Sequence, residues 1–363
     1  MLFTRTKMDE KSQISEKFDS MYAFDQHDGK IDYDTGKFSP PPSEEAGDII
    51  KASHSSAKAG EDSSEYEKYA YPSLLLQYEN TSTQYWHNLD EQSKATLTEL
   101  QEWILKERIQ VDILAANELH SSLLLLRFLR AYKFDLAKTK THLSHSIEEY
   151  KAHNVASLVT QKPQDILGCS LEELTAVFPH WHSGYDKTGR PVLYKQYGKF
   201  DASTVKKLCG GSFDNVVKYH LWEQEACARL CLAQSKKTKT IVETVSIVVD
   251  LEDMTLVQVT GEFMTLIKLL AAIDSNQYPE TTGRIFILNA STSFHVVWAM
   301  VKPWIVPATA SKIKVLGGPD EYTPVLIDFI GEENLPGNYG GASAPLTAKV
   351  HPYAETMREL LML

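Results

Sequence analysis

With 363 residues and 43% hydrophobic side chains, the chain has enough apolar material for a sizeable core in one or more domains. Its net charge of -11 is uneven, residues 1 to 80 holding 9 Lys and Arg against 16 Asp and Glu, and nothing in that balance suits a nucleic-acid partner. Cys169, Cys209, Cys227 and Cys231 are too few and too scattered to staple a chain of this size and read as reduced thiols of a cytosolic protein.

Residues 1–80 are rich in Asp, Glu, Ser, Lys and Gly, carry Pro40, Pro41 and Pro42 in a row, and show no sustained apolar period. That composition predicts a disordered acidic tail, solvated and open to a regulatory or docking role. The N-terminus has no apolar signal core, no lipidation motif marks either end, and no apolar run approaches the roughly 18 residues of a spanning helix. Any meeting with a membrane is therefore expected to be peripheral, reversible and made from the cytosol.

From Leu89 the pattern turns helical, with Leu97, Leu100, Ile104 and Leu105 at spacings of three or four. A second helix is expected over about Ala115 to Tyr132, with Arg127, Arg130 and Lys133 around its end. Asp135 is a plausible N-cap for a third, in which Leu136, Leu143, Ile147 and Tyr150 line one face. Together these make a small all-helical module over 81–160.

Beyond residue 170 the reading alternates. Strands are expected at Pro191 to Tyr197, Thr244 to Leu251, Arg284 to Leu288 and Lys312 to Leu316; helices at Phe213 to Ala233, Val259 to Ile273, Phe294 to Ile305 and Tyr322 to Ile330. Strands separated by helical segments predict an α/β domain with a mainly parallel sheet over 161–345, followed by a C-terminal tail, 346–363. The run Phe294 to Ile305 is apolar almost all the way round, so it needs a deep core, a membrane or a bound hydrophobic ligand. Just beyond it, Thr309, Ser311 and Lys312 bring hydroxyls and a positive charge.

Enzyme signatures are missing: there is no G-x-S-x-G elbow, no phosphate-binding Walker loop and no H-E-x-x-H pair, and the doublets Gly317-Gly318 and Gly340-Gly341 do not open a helix after a strand. No cofactor is implied. No metal site is expected either: Cys227 and Cys231 read as small apolar packing, and His142 with His145, and His180 with His182, lack further ligands at metal spacing. Asp250, Glu252 and Asp253 read as turn and cap residues, with Asp250 alternatively framing a pocket mouth; alternation puts Asp250 and Glu252 on one side, where two carboxylates repel. Lys133, Glu280, Thr309 and Lys312 could anchor a phosphodiester if the fold brings them together, since one or two ammonium charges and a hydroxyl suffice for a compact anion. Taken singly, each is an ordinary surface residue.

Segments 123–139 (LLLLRFLRAYKFDLAKT), 186–192 (DKTGRPV), 246–254 (SIVVDLEDM), 278–290 (YPETTGRIFILNA), 301–313 (VKPWIVPATASKI) and 333–341 (ENLPGNYGG) occur in the order of the CRAL-TRIO lipid-transfer family. Over about Leu97 to Gly341 the chain resembles that family, in particular its phosphatidylinositol/phosphatidylcholine transfer branch, called Sec-fourteen-like. The resemblance implies a helical N-terminal module and an α/β lipid-binding domain whose sheet floors a pocket for one phospholipid beneath a mobile gate helix. It places Phe294, Trp298, Val301 and Trp304 on the gate or against acyl chains, Lys133, Glu280, Thr309 and Lys312 around a phosphoinositol headgroup, and Thr255 at a choline headgroup. The chain departs from the branch at Tyr132 and Thr281, where the branch has arginines, and at Val257, where it has a second hydroxyl.

The resemblance implies a non-enzymatic, monomeric carrier of one phospholipid, most readily phosphatidylinositol and also phosphatidylcholine, exchanged between cytosolic membrane faces or presented to lipid-modifying enzymes. Open beside it stand a carrier of a sterol, tocopherol or retinoid, an α/β hydrolase, and a membrane-recruitment scaffold whose acidic tail binds partners.

Overall fold

The computed structural model describes residues 88–292 and 294–347, with Lys30–Asp32, Lys37–Ser39, Leu75 and Glu79–Asn80. The chain divides into two units, Met1–Ala57 and Lys58–Leu363. In the first, β1 (Lys30–Asp32) pairs antiparallel with β2 (Lys37–Ser39). The rest of the expected acidic tail up to residue 74, and the C-terminal tail beyond residue 347, lie outside the described residues. The far end of the acidic segment needs correcting: Leu75 is completely buried in the helical core, and β3 (Glu79–Asn80) runs parallel to β6 (Thr240–Ile241).

Three helices follow: α1 (Glu91–Glu107), α2 (Ser121–Ala131) and α3 (Leu136–Ala152). Asp90 caps α1 by accepting from the Ser93 amide, and Asp135 caps α3 by accepting from that of Lys138, so the sequence signal for α3 is also its structural cause. Leu97, Leu100, Ile104, Leu123, Phe128 and Leu143 close their common core. Each such side chain contributes about 1.5–3 kcal/mol by leaving water. Helix α2 begins six residues later than its sequence pattern does. Asn117 and Glu118 are engaged elsewhere, Asn117 donating to Glu225 at 2.6 Å and Glu118 pairing with Arg127 at 2.6 Å.

Short helices at Val155–Leu158, Pro163–Leu167 and Leu171–Val177 lead to a five-stranded sheet of order β4-β5-β7-β8-β9. The edge strand β4 (His180–Tyr185) is antiparallel to β5 (Pro191–Gln196); β5, β7 (Val245–Asp250), β8 (Thr282–Leu288) and β9 (Ile313–Val315) run parallel. At the β4–β5 turn, Asp186 Oδ1 accepts from the Thr188 amide, the Thr188 hydroxyl and the Arg190 amide, while Oδ2 accepts from Ser246 on β7. Helix α4 (Asp214–Thr238) connects β5 to β7 after a short helix, Ala202–Leu208, and α5 (Gly261–Asn276) connects β7 to β8. The gate candidate α6 (Phe294–Val301) connects β8 to β9, and α7 (Pro319–Ile330) follows β9, so Gly317-Gly318 do stand between a strand and a helix, contrary to the sequence expectation, with the Gly317 amide donating to Glu321 Oε2 at 2.6 Å. One face of the sheet is sealed: Val192, Tyr194, Val248, Phe286 and Leu288 are buried in one cluster with Tyr322, Leu326 and Ile330 of α7.

Candidate functional site

The other face carries two rows of side chains in register. The first reads Leu193, Ile247, Ile285 and Ile313 across β5, β7, β8 and β9; the second reads Lys195, Val249, Ile287 and Val315. On the β5 side this face is closed by α4, through Cys227 and Cys231. Toward β9 it is not: Ile247, Val249, Ile285 and Ile313 are half-buried, and Val315 is 43% exposed. An apolar floor thus runs out from beneath α4 toward the sheet edge.

Helix α6 and the 3-10 turn after it pack on α5. The sequence pattern predicted one helix from Phe294 to Ile305. The α-helix stops at Val301, and Lys302–Trp304 tighten into a 3-10 turn, because Pro303 has no amide hydrogen to continue the ladder. Val297 and Trp304 are buried, while Phe294, Trp298 and Val301 are half-buried. The helix therefore has its large apolar side chains only partly covered, instead of the two covered faces that a core helix needs.

Where α6 departs, Asp250 holds the strand ends together. It is buried; its Oδ1 accepts from the Glu252 amide at 2.9 Å and from Asn289 Nδ2 at 2.8 Å, and the Tyr339 hydroxyl lies 3.4 Å from Oδ2. The expected repulsion with Glu252 does not arise, because β7 ends at Asp250 and Glu252 turns out to water.

At the opposite end of the parallel strands, Lys312 Nζ meets Glu280 Oε2 at 2.9 Å, both side chains largely shielded. Glu280 sits at φ 59° just before β8, and Lys312 is tied to Thr309 by a 2.9 Å backbone bond that closes the turn Pro307–Ala310. Lys133 stands on a left-handed residue (φ 55°) after α2, exposed and with no ion pair among the described residues. Its helix end is brought toward the start of β7 by Arg130, whose guanidinium is 3.7 Å from Glu243. Tyr132 stacks on His142 with centroids 4.0 Å apart, and the Thr281 hydroxyl donates to the Tyr278 carbonyl.

Thr255 does not join this group. It lies past the other end of β7, with its amide and hydroxyl both donating to Gln258 Oε1 at 2.6 Å. Six residues of strand, about 20 Å, separate the ends. The five polar candidates therefore belong to two ends of the sheet rather than to one headgroup site.

Sequence reasoning missed a buried ionic network beside the floor. Lys195 Nζ is 2.8 Å from Glu223 Oε2; Glu223 is also 3.8 Å from His182 and 3.5 Å from His220, and His220 Nε2 reaches Asp274 on α5 at 2.6 Å. Burial alone pushes the Glu223 carboxyl up, but Lys195 and the two histidines hold it well below the carboxylate range. Burial pulls the His220 imidazole down, yet the Asp274 carboxylate outweighs it and raises the pKa to about 9. The available signals were a lysine inside the strand PVLYKQ and the pair His220 and Glu223 three apart on α4.

Cys227 and Cys231 lie in the apolar cluster under α4, and burial raises both thiol pKa values. Cys169 and Cys209, distant in sequence, bring their sulfurs to 3.9 Å, with burial pushing Cys209 up to about 12. Among the described residues no group of His, Cys, Asp and Glu could hold a metal ion, and no helix is long and apolar enough to cross a membrane.

The architecture agrees with comparisons to known proteins. The CRAL/TRIO domain matches residues 178–341, and the CRAL/TRIO, N-terminal domain matches residues 82–145. Phosphatidylinositol/phosphatidylcholine transfer protein SFH7 of Arabidopsis thaliana is 34% identical over 232 residues, which cover 62% of this chain and 39% of that protein. The SEC14 cytosolic factor of Kluyveromyces lactis is 29% identical over 257 residues, covering 70% of this chain and 80% of that one. The chain thus spans less than half the length of SFH7 but most of the yeast factor. The crystal structure of Sfh5 superposes with a TM-score of 0.53 at 18% identity, over 75% of this chain and 97% of that one, a likeness of fold. The chain belongs to the CRAL/TRIO family.

Proposed function

We propose that the protein is a non-enzymatic carrier that takes one phospholipid, most readily phosphatidylinositol, from a cytosolic membrane face, shields its acyl chains and exchanges it elsewhere. The observation that carries this reading is the pair of in-register apolar rows left half-covered beside α6, with an ammonium and carboxylate pair at one end. That SFH7 and SFH4 of Arabidopsis thaliana are phosphatidylinositol/phosphatidylcholine transfer proteins supports the ligand class. Burying acyl chains stabilises the complex by about 0.8 kcal/mol per CH₂, so a loaded, closed carrier is the resting state in water. Release then belongs at a membrane, where the chains lose nothing by leaving. Lys133, Glu280, Thr309 and Lys312 serve the inositol phosphate, Thr255 a choline headgroup, and Phe294, Trp298, Val301 and Trp304 the acyl chains or gate.

Native mass spectrometry of the purified protein should show one phospholipid-sized adduct, and the absence of both adduct and vesicle-to-vesicle transfer would refute the reading. Lys312→Ala removes a charge-assisted hydrogen bond of about 1.5–3 kcal/mol. It should weaken inositol-lipid transfer about tenfold or more and leave other lipids unaffected; equal loss for all lipids would point to damage at the gate. A non-phospholipid hydrophobe is the second reading, favoured by Tyr132 stacking on His142 and Thr281 bonding to Tyr278 where the transfer branch has cations. Phosphorus analysis of the bound lipid separates the two.

A further inference from the structure

Two of the four cysteines meet although they stand 40 residues apart: the Cys169 and Cys209 sulfurs are 3.9 Å from each other. Cys209 is buried and Cys169 half-buried, so one thiol of the pair reaches solvent. Cys227 and Cys231 are placed differently, inside the apolar cluster under α4. A disulfide needs sulfurs about 2.0 Å apart, so the pair must close by a further ~1.9 Å.

The backbone around both sulfurs leaves room for that movement. Cys169 lies in the link between the helices Pro163–Leu167 and Leu171–Val177, directly after Gly168 at φ 75°. Cys209 closes the helix Ala202–Leu208 and is followed by Gly210 and Gly211, at φ 96° and 85°; a Cβ on Gly211 would meet nothing within 4 Å. Asn215, in the first turn of α4, holds the two links side by side. Its Nδ2 donates to the Leu167 carbonyl at 3.3 Å, and a Cβ on Gly168 or Gly210 would lie 3.6 Å or 3.3 Å from that same nitrogen. Both thiols are thus presented where two linkers run against each other.

We infer that Cys169 and Cys209 are a disulfide-forming pair, closed by a small disulfide oxidant such as oxidised glutathione, and that the bond clamps the helix Ala202–Leu208 to the link before Leu171–Val177. The Cys169 thiolate attacks one sulfur of the oxidant and expels the first glutathione thiolate; Cys209, once deprotonated, attacks the Cys169 sulfur and expels the second. Two protein thiols are oxidised, one glutathione disulfide is reduced to two glutathiones, and the two protons end on the departing thiolates. Burial raises the Cys169 thiol above its ordinary pKa, the hydrogen bond with Cys209 opposing it and Glu173 adding to it. Burial and the neighbouring Cys169 push Cys209 up to about 12. Few thiolates therefore form at neutral pH and closure is slow, but each sulfur is equally a poor leaving group, so the closed bond resists reduction. Such a pair stays reduced through brief oxidation and closes under sustained oxidation, as the few disulfides of cytosolic proteins do when they serve redox sensing. The helix Ala202–Leu208 packs on α5, and α6 packs on α5 in turn, so the clamp falls on the platform of the gate candidate. The inference holds whatever ligand the protein carries.

The test is incubation of the full, reduced chain with excess oxidised glutathione, read by intact mass and by peptide mapping without reductant, with circular dichroism to confirm the fold. Wild type should lose two hydrogens and yield the Cys169–Cys209 cross-linked peptide, at a rate that rises about tenfold per pH unit between about pH 7 and 9. Cys169→Ser and Cys209→Ser should each abolish that peptide, and Cys227→Ser should leave it unchanged. If serine at the buried Cys209 unfolds the chain, serine at the half-buried Cys169 still decides the matter. On oxidation, amide exchange in Ala202–Leu208 should slow about tenfold or more and recover with dithiothreitol. Wild type that keeps both hydrogens, that stops at a glutathione adduct on Cys169, or that cross-links through Cys227 or Cys231 would overturn the pair. A rate flat in pH would overturn the slow closure, and exchange in Ala202–Leu208 unchanged by oxidation would overturn the clamp.

Discussion

Replacing Lys195 with methionine tests whether the buried network holds α4 and α5 on the sheet. Lys195 and Glu223 are 2.8 Å apart, with side chains only 11% and 5% exposed, and they link β5 to α4; through His220 and Asp274 the link extends to α5. Lys195→Met leaves the Glu223 carboxylate buried with only His182 and His220 beside it. Removing one partner of a buried pair costs about 3–5 kcal/mol, because the survivor keeps its desolvation penalty and loses its counter-charge. Glu223→Leu should cost a similar amount by stranding the ammonium. The double substitution should cost much less than the sum, giving a coupling energy of about 2 kcal/mol or more. Urea unfolding at neutral pH measures all four proteins, and native mass spectrometry reports whether each still carries its ligand. Single substitutions costing under about 1 kcal/mol, or two costs that simply add, would refute the idea that the pair is the joint between sheet and helices.

The His220 imidazole, raised from 6.5 to about 9, binds its proton more tightly folded than unfolded. Its contribution is therefore complete below pH 6.5 and is lost as pH rises through about 9. His220→Gln should cost about 3 kcal/mol in mildly acidic buffer and little in strong alkali; a cost independent of pH would refute the charged assignment. Asn289→Gly keeps the left-handed backbone (φ 55°) but removes the bond to Asp250, so amide exchange in α6 should accelerate while exchange in α7 stays unchanged.

How much of this was legible follows from which physics each element obeys. The β7 and β8 strands lie in the interior of a parallel sheet and appear in sequence as unbroken apolar runs, so SIVVD and RIFIL could be read directly. The antiparallel edge strand β4 could not, since the histidines of HWHSGY are buried against partners on α4, His180 at Tyr219 and His182 at Glu223, and no local pattern announces such pairings. Asp135 announced α3 because a cap is local, whereas α2 begins late because Asn117 and Glu118 answer to partners elsewhere in the chain. Glu280 and Lys312 stand 32 residues apart, and only resemblance suggested their meeting. The network around Glu223 draws on β4, β5, α4 and α5, each contributing one or two polar residues that look harmless alone.

The geometry also changes what the polar candidates have in common. The segment from Asn289 to Lys312 crosses from one end of the sheet to the other, leaving β8 at the Asp250 end and entering β9 at the Glu280 end. Each terminus is fastened by a contact to a residue outside the segment: Asn289 to Asp250, and Lys312 to Glu280. Between them Pro303 interrupts the helix, so the span is two pieces joined at a break rather than a stiff rod. A phosphate that takes Lys312 as its counter-ion competes with Glu280 for the contact that anchors one end of this segment. On the proposed phospholipid reading, headgroup recognition and the position of this segment would be coupled through one ammonium group, without a separate relay.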